Sequence, residues 1–148
     1  MQSDIQAATV SKKMLWTGRI VSALLALFLL MDGVMKLVKP PVVVEATVRL
    51  GYPESVIVGL GIVLLTCTVL YLIPTTSVLG AILLTGYLGG AVATHLRVGE
   101  GLFPVSFPII MGVLIWFGLY LRDQRLRALV PLRSEAATAS RWKMATDL

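Results

Sequence analysis

Four apolar stretches, separated by short polar connections, occupy most of this chain. They run over residues 14–31, 56–73, 78–96 and 105–121. With its flanks, each approaches the ~20 residues that a helix needs to cross the core of a bilayer. The last three stretches contain no Asp, Glu, Lys or Arg, and the first contains only Arg19. The pattern predicts an all-α integral membrane protein built as a four-helix transmembrane bundle.

The connection between the first two spans predicts a fifth, short helix. Pro40 and Pro41 end the first span, and Pro41 suits the first position of a new helix. Gly51 suits the left-handed residue that follows a helix end. The segment is too short to span, so we expect it to lie at the membrane interface or to fold over the bundle.

These signals divide the chain into two tails and one membrane domain. We expect a mobile cytoplasmic N-terminus over residues 1–12 and a mobile cytoplasmic C-terminus over residues 131–148. The membrane domain takes residues 13–130, and its four predicted spans are 14–38, 54–73, 76–97 and 105–122. The tight turn after the second span makes the second and third spans antiparallel neighbours.

The distribution of basic residues predicts how the protein sits in the cell membrane. Four spans place both termini on one side, together with the short second turn. Of the 13 Lys and Arg residues, four fall on the other side, which leaves nine with the termini. The four are Lys36, Lys39, Arg49 and Arg97. The positive-inside rule therefore predicts that both termini are cytoplasmic.

Composition narrows the possible chemistry. The chain is 57% hydrophobic, and its net charge of +5 comes from residues that flank the spans rather than from a continuous patch. We therefore expect no nucleic-acid partner. The single cysteine, Cys67, lies inside the second span, and His95 is the only histidine. Neither an internal disulfide nor a metal site is expected from this set, so we predict no thiol or metal chemistry.

The third span combines small residues in a way that allows two interpretations. Gly86 and Gly90 form a G-x-x-x-G pair, which in lipid commonly lets two helices pack closely. That packing seam would make Gly90 less replaceable than Gly118. The alternative is a wall of small residues that leaves room for a ligand. On that interpretation the candidate ligand contacts are Tyr87, Gly90, Ala91 and Thr94, together with Glu45 from the short helix.

Ionisable residues gather at one end of the predicted bundle. The candidate catalytic residues are Asp32, Lys36, His95 and Arg97. Asp32 and Lys36 share a helix face, and Asp32 is a possible carboxylate partner for His95 by depth. Such groups can form a polar mouth above an apolar cavity, as small-molecule sites do. The alternatives are an ion pair at the membrane edge and a histidine that anchors the helix at the interface.

Several stretches resemble the DoxX-like membrane proteins. They include Gly33-Val34-Met35-Lys36-Leu37, Leu50-Gly51-Tyr52-Pro53 and a Gly-Gly-x-x-x-Thr-His-x-Arg run at 89–97. The resemblance covers about residues 14–133 and implies a four-helix membrane bundle. It also implies a link to redox complexes, since the family takes its name from a subunit of a thiosulfate:quinone oxidoreductase. Many related sequences carry a glutamate in the second span, where this chain reads Gly-Ile-Val-Leu-Leu at 61–65.

Two functions remain open on these grounds. In the first, the protein binds a small lipophilic molecule, with a quinone as the candidate cofactor, in a pocket in the outer half of the membrane. It would act as an enzyme or as a subunit of a redox complex, through oxidoreductase-associated or acid–base chemistry. In the second, it is a non-catalytic accessory or assembly protein that packs against a membrane partner or another copy of itself.

Overall fold

The computed structural model describes residues 12–123 and Leu126, and these residues form five helices. The helices are α1 (Lys12–Val38), α2 (Pro41–Arg49), α3 (Ile57–Leu72), α4 (Ser77–Arg97) and α5 (Leu102–Arg122), with a 3-10 turn at Glu54–Val56. Four of them, α3 being extended by the 3-10 turn, are long and apolar enough to span a membrane. This confirms the predicted all-α bundle and the short helix between the first two spans. The predicted tails, 1–12 and 131–148, lie outside the described residues except for Lys12.

The ends of the helices follow local sequence signals. Pro41 takes the first position of α2, and Gly51 follows its end with a φ of +85°. α5 begins at Leu102 rather than at the predicted residue 105. The difference arises because Pro104 falls in the first turn of α5, where a residue without an N–H leaves no intrahelical bond unmade.

The four long helices stand at the corners of a square. α1 packs against α3 and α5, and α4 packs against the same two helices, so α1 and α4 occupy opposite corners. We call the end that carries α2 the roof end, and the end that carries the short connection from α3 to α4 the turn end. The short connection makes α3 and α4 antiparallel neighbours, as expected.

A buried tyrosine joins three helices towards the turn end. The Tyr71 hydroxyl donates to the backbone oxygen of Ile115 at 3.0 Å, so the Ser22 hydroxyl, 2.9 Å away, donates to it. Tyr71 is fully buried, and Arg122 donates to its backbone oxygen at 2.7 Å. The Arg122 guanidinium also lies 4.6 Å from the centre of the Tyr71 ring. These contacts satisfy polar groups that would otherwise be left unpaired within the bundle.

Glycines allow the helices to approach closely around this tyrosine. A Cβ atom added to Gly118 would lie 2.7 Å from the Ser22 hydroxyl oxygen. One added to Gly80 would lie 2.5 Å from the Tyr71 Cα, and one added to Gly18 would lie 2.7 Å from the Leu121 Cβ. A hydrogen side chain at each position is therefore a requirement of the packing, as is common in membrane helices.

The predicted packing seam on α4 is wrong. A Cβ atom added to Gly86 or Gly90 would meet nothing within 4 Å, and both residues line a cavity. The spacing of the two glycines identified a face of small residues correctly. Within residues 12–123 no helix lies against that face, because α4 stands diagonally opposite α1 and a cavity separates them at the roof end.

The glycine contacts reverse the expected order of two substitutions. We expect Gly118→Leu to lower the free energy of unfolding by about 1–3 kcal/mol or more, because its side chain would overlap Ser22 and Tyr71. Gly90→Leu should leave stability nearly unchanged, since its side chain enters open space. Thermal unfolding of both variants in the same mild detergent measures the difference. Equal unfolding midpoints would contradict the assignment of Gly118 to the close α1–α5 contact.

Candidate functional site

A cavity of about 490 Å³ lies between the four long helices at the roof end. Its walls are mainly apolar and include Leu29, Leu60, Leu88 and Met111. Between α1 and α5, the rings of Phe28 and Phe107 meet edge to face, with centroids 5.6 Å apart. The volume falls in the range of pockets that hold small organic molecules.

Helix α2 forms the roof of this cavity. Val43, Ala46 and Thr47 line the cavity from the roof, and Leu50 follows at its end. The roof is fastened to the bundle, because the Arg97 guanidinium donates to the backbone oxygen of Leu50 at 3.0 Å. The structure therefore confirms the expected position of this helix over the bundle.

A left-handed glycine at the end of α2 directs Tyr52 into the cavity wall. The N–H of Gly51 donates to the Val48 oxygen at 2.8 Å, and the N–H of Tyr52 donates to the Thr47 oxygen at 3.3 Å. This pair of bonds is the Schellman motif, which needs a positive φ at the glycine. The turn places the Tyr52 hydroxyl 2.8 Å from the Thr94 hydroxyl on α4.

The same motif at the end of α4 brings Glu100 beside His95. The N–H of Gly99 donates to the Leu96 oxygen and the N–H of Glu100 donates to the His95 oxygen, both at 3.1 Å. Gly99 has a φ of +69°. The chain therefore turns back, and a Glu100 carboxylate oxygen lies 2.6 Å from His95 Nδ1. An ionised carboxylate can only accept, so Nδ1 carries the hydrogen and Nε2 remains for another partner.

Asp32 and Lys36 form a close ion pair on the opposite wall. The Lys36 ammonium donates to both Asp32 carboxylate oxygens at 2.6 Å. The Lys36 side chain is 17% exposed and the Asp32 side chain 39% exposed, so the pair is partly shielded, mainly at its ammonium end. Both residues line the cavity.

All but two of the residues predicted for the site line this cavity. Those that do are Asp32, Lys36, Tyr87, Gly90, Ala91, Thr94 and His95. Arg97 is exposed and reaches the roof through Leu50 instead, and Glu45 is exposed on α2 and is not part of the cavity lining. The partner of the His95 ring is Glu100, while Asp32 pairs with Lys36.

Sequence reasoning missed Tyr52, Thr47 and Glu100 as parts of the site. A signal for Glu100 was present, since a glycine just after a helix end followed by an acid predicts that the acid returns over the last turn. Glu100 lies five residues after the only histidine. Tyr52 had no comparable signal, because its contact with Thr94 joins segments that are distant in sequence.

The turn at Gly99 can be tested by comparison with a neighbouring glycine. Gly99→Ala puts a Cβ into the left-handed conformation, which costs about 1–2 kcal/mol, and should displace Glu100 from His95. Gly101→Ala is the matched control, because Gly101 has a φ of −61° and open space around it. Since His95 is the sole histidine, its ring nitrogens give one set of ¹⁵N NMR signals. We expect these to shift in Gly99→Ala only; an unchanged spectrum would contradict the turn's role.

Comparison with known proteins gives one result. No curated protein and no solved structure matches the chain. The family model of the DoxX-like family matches residues 20–118. The matched range begins within α1 and ends within α5, and it includes every residue that lines the cavity. The match covers more than half of the chain, and the chain therefore belongs to the DoxX-like family.

Proposed function

We propose that this protein binds a small lipophilic molecule, for example a quinone, in the roofed cavity. The observation that carries the proposal is the combination of a 490 Å³ apolar chamber with polar groups at its roof end. Hydrophobic walls would hold the body of such a molecule, and a few polar groups would fix its head. The family supplies the membrane setting and says nothing about the ligand.

The glycines of α4 support the same proposal. At Gly86 and Gly90, missing side chains make room in the cavity rather than contact between helices. A leucine at either position would project into the chamber. Glycine lowers helix stability by about 1 kcal/mol relative to alanine. Space for a ligand would account for this loss of helix stability at two positions where helix packing does not require glycine.

His95 is the residue best suited to chemistry on the bound molecule. Glu100 orients its ring through Nδ1, which leaves Nε2 as the atom for a ligand. An imidazole held by a carboxylate is a common arrangement for general acid–base catalysis. We infer a role in proton transfer to or from the head of the molecule, either as an enzyme or as the ligand-binding subunit of a redox complex.

We further propose that both termini are cytoplasmic and that the roof end lies on the outer side. The proposal rests on the bias of basic residues, four of the 13 being on the roof side. A molecule would then reach the cavity from the outer half of the bilayer.

The cavity can be filled without disturbing the fold. We expect Gly90→Leu to weaken binding of naphthoquinone or naphthalene-methanol at least tenfold, because the new side chain occupies the chamber. Gly89→Leu is the matched control, since Gly89 is the adjacent residue, has open space around it and does not line the cavity. Calorimetric titration in nanodiscs measures both, with protein-free nanodiscs as the blank. Equal binding by the two variants would favour the accessory-protein function.

The orientation can be tested with two exposed positions at opposite ends. Ser55→Cys should react with an impermeant maleimide in intact cells, and Thr75→Cys should react only after permeabilisation. Cys67 is 5% exposed and should contribute little background. The reverse pattern would place the roof end in the cytoplasm.

A further inference from the structure

The charged groups on the cavity wall are already neutralised by partners within the protein. Both oxygens of Asp32 accept from Lys36 at 2.6 Å. His95 Nδ1 is bound to one oxygen of Glu100, and the other oxygen receives Arg49 at 3.4 Å. Within residues 12–123, each charged side chain that lines the cavity therefore already has an oppositely charged partner.

A charged ligand would have to break one of these pairs. An anion would need to draw Lys36 away from Asp32, and a cation would need to draw Asp32 away from Lys36. Both changes leave a charge unpaired in a largely apolar chamber, which is strongly unfavourable. The pairing thus selects against fatty-acid, phosphate and ammonium heads.

The uncharged polar groups of the wall offer further hydrogen-bonding positions that need no change in these ion pairs. The Thr94 hydroxyl donates to the Gly90 oxygen at 2.9 Å, so the contact at 2.8 Å must use the hydrogen of Tyr52. The Tyr52 oxygen is left as an acceptor, as is Nε2 of a neutral His95 ring. Tyr87 lines the cavity, and its hydroxyl has no hydrogen-bond partner within the described part of the chain. It is a free donor.

We propose that the molecule held in this cavity is an uncharged amphiphile whose polar head is a hydroxyl group, as in an alcohol, a phenol or a quinol. The inference rests on the proposed function of the cavity as a ligand site. A hydroxyl can donate to Tyr52 or His95 and accept from Tyr87 at the same time. A carbonyl head can only accept, so a quinone would leave both acceptors of the cavity without a hydrogen, and the cavity favours its reduced form, the quinol.

Four bicyclic probes of similar size separate these heads: naphthalene-methanol, acetylnaphthalene, naphthalene-carboxylate and (naphthylmethyl)ammonium. Binding is measured by calorimetric titration in nanodiscs, and Gly90→Leu in the same nanodiscs corrects for partitioning into lipid. We expect the alcohol to bind at least tenfold more tightly than either charged probe and more tightly than the ketone.

Stronger binding of the carboxylate, the ammonium compound or the ketone would overturn the assignment of the head while leaving the cavity a ligand site. Failure of all four probes would count against the proposed function itself, and with it against this inference.

A single substitution tests the donor. Tyr87→Phe removes a hydroxyl that has no partner among the residues that the structure describes, so the thermal midpoint should not change. The affinity for naphthalene-methanol should fall about fivefold, as expected for one lost hydrogen bond. The affinity for the two charged probes should not change. An unchanged affinity for the alcohol would remove Tyr87 from the recognition of the head and overturn the donor–acceptor argument.

Discussion

The contacts around Tyr71 tie the helices together in an environment where lipid supplies no hydrophobic driving force for their association. In a membrane the tails of the lipids are as apolar as the helix faces, so association depends on close packing and on hydrogen bonds. The Tyr71 hydroxyl connects α3 to Ser22 on α1 and to the Ile115 oxygen on α5. Gly118 provides the space for that contact, because any larger residue would overlap Ser22. One side chain thus ties three helices together, and the fourth is held close through Gly80.

The cavity forms because the close packing of α4 against its neighbours does not continue towards the roof end. α4 contacts the Tyr71 backbone through Gly80 near its start, and it stands diagonally opposite α1. Further along α4, Gly86 and Gly90 have no neighbour to meet, so the same residue type that closes the bundle at one end leaves a chamber at the other. A short helix then covers the chamber. Glycine therefore has opposite effects in the two halves of α4. Gly80 allows close contact with α3, whereas Gly86 and Gly90 leave empty space because no described neighbour lies within reach.

The features that the sequence predicted correctly are local ones. Each can be recognised within one continuous segment: the length and lack of charge of a span, and the Pro41 and Gly51 boundaries of the short helix. The Asp32–Lys36 pair is local too, since its members are four residues apart. The seam at Gly86 and Gly90 failed because spacing shows which face is small and cannot show whether another helix lies against it. The contact between Tyr52 and Thr94 was out of reach for the same reason. Glu100 is an intermediate case. Its position beside His95 could have been predicted, because Gly99 indicates a turn after α4 that brings the next residue back over the helix end.

The two Schellman turns link the roof to the candidate catalytic group. One turn sets Tyr52 against Thr94, and the other sets Glu100 against His95, so the polar end of the cavity is built from helix ends rather than from free loops. Glu100 also receives Arg49, the last residue of the roof helix. One carboxylate therefore contacts both the roof and the imidazole. The Gly99 turn already fixes Glu100 beside His95, and Arg49, 77% exposed, reaches the other carboxylate oxygen at 3.4 Å, so the roof adds a weaker contact to this pair. The orientation of the ring therefore depends first on the Gly99 turn, and the contact of Glu100 with the roof helix is secondary to it.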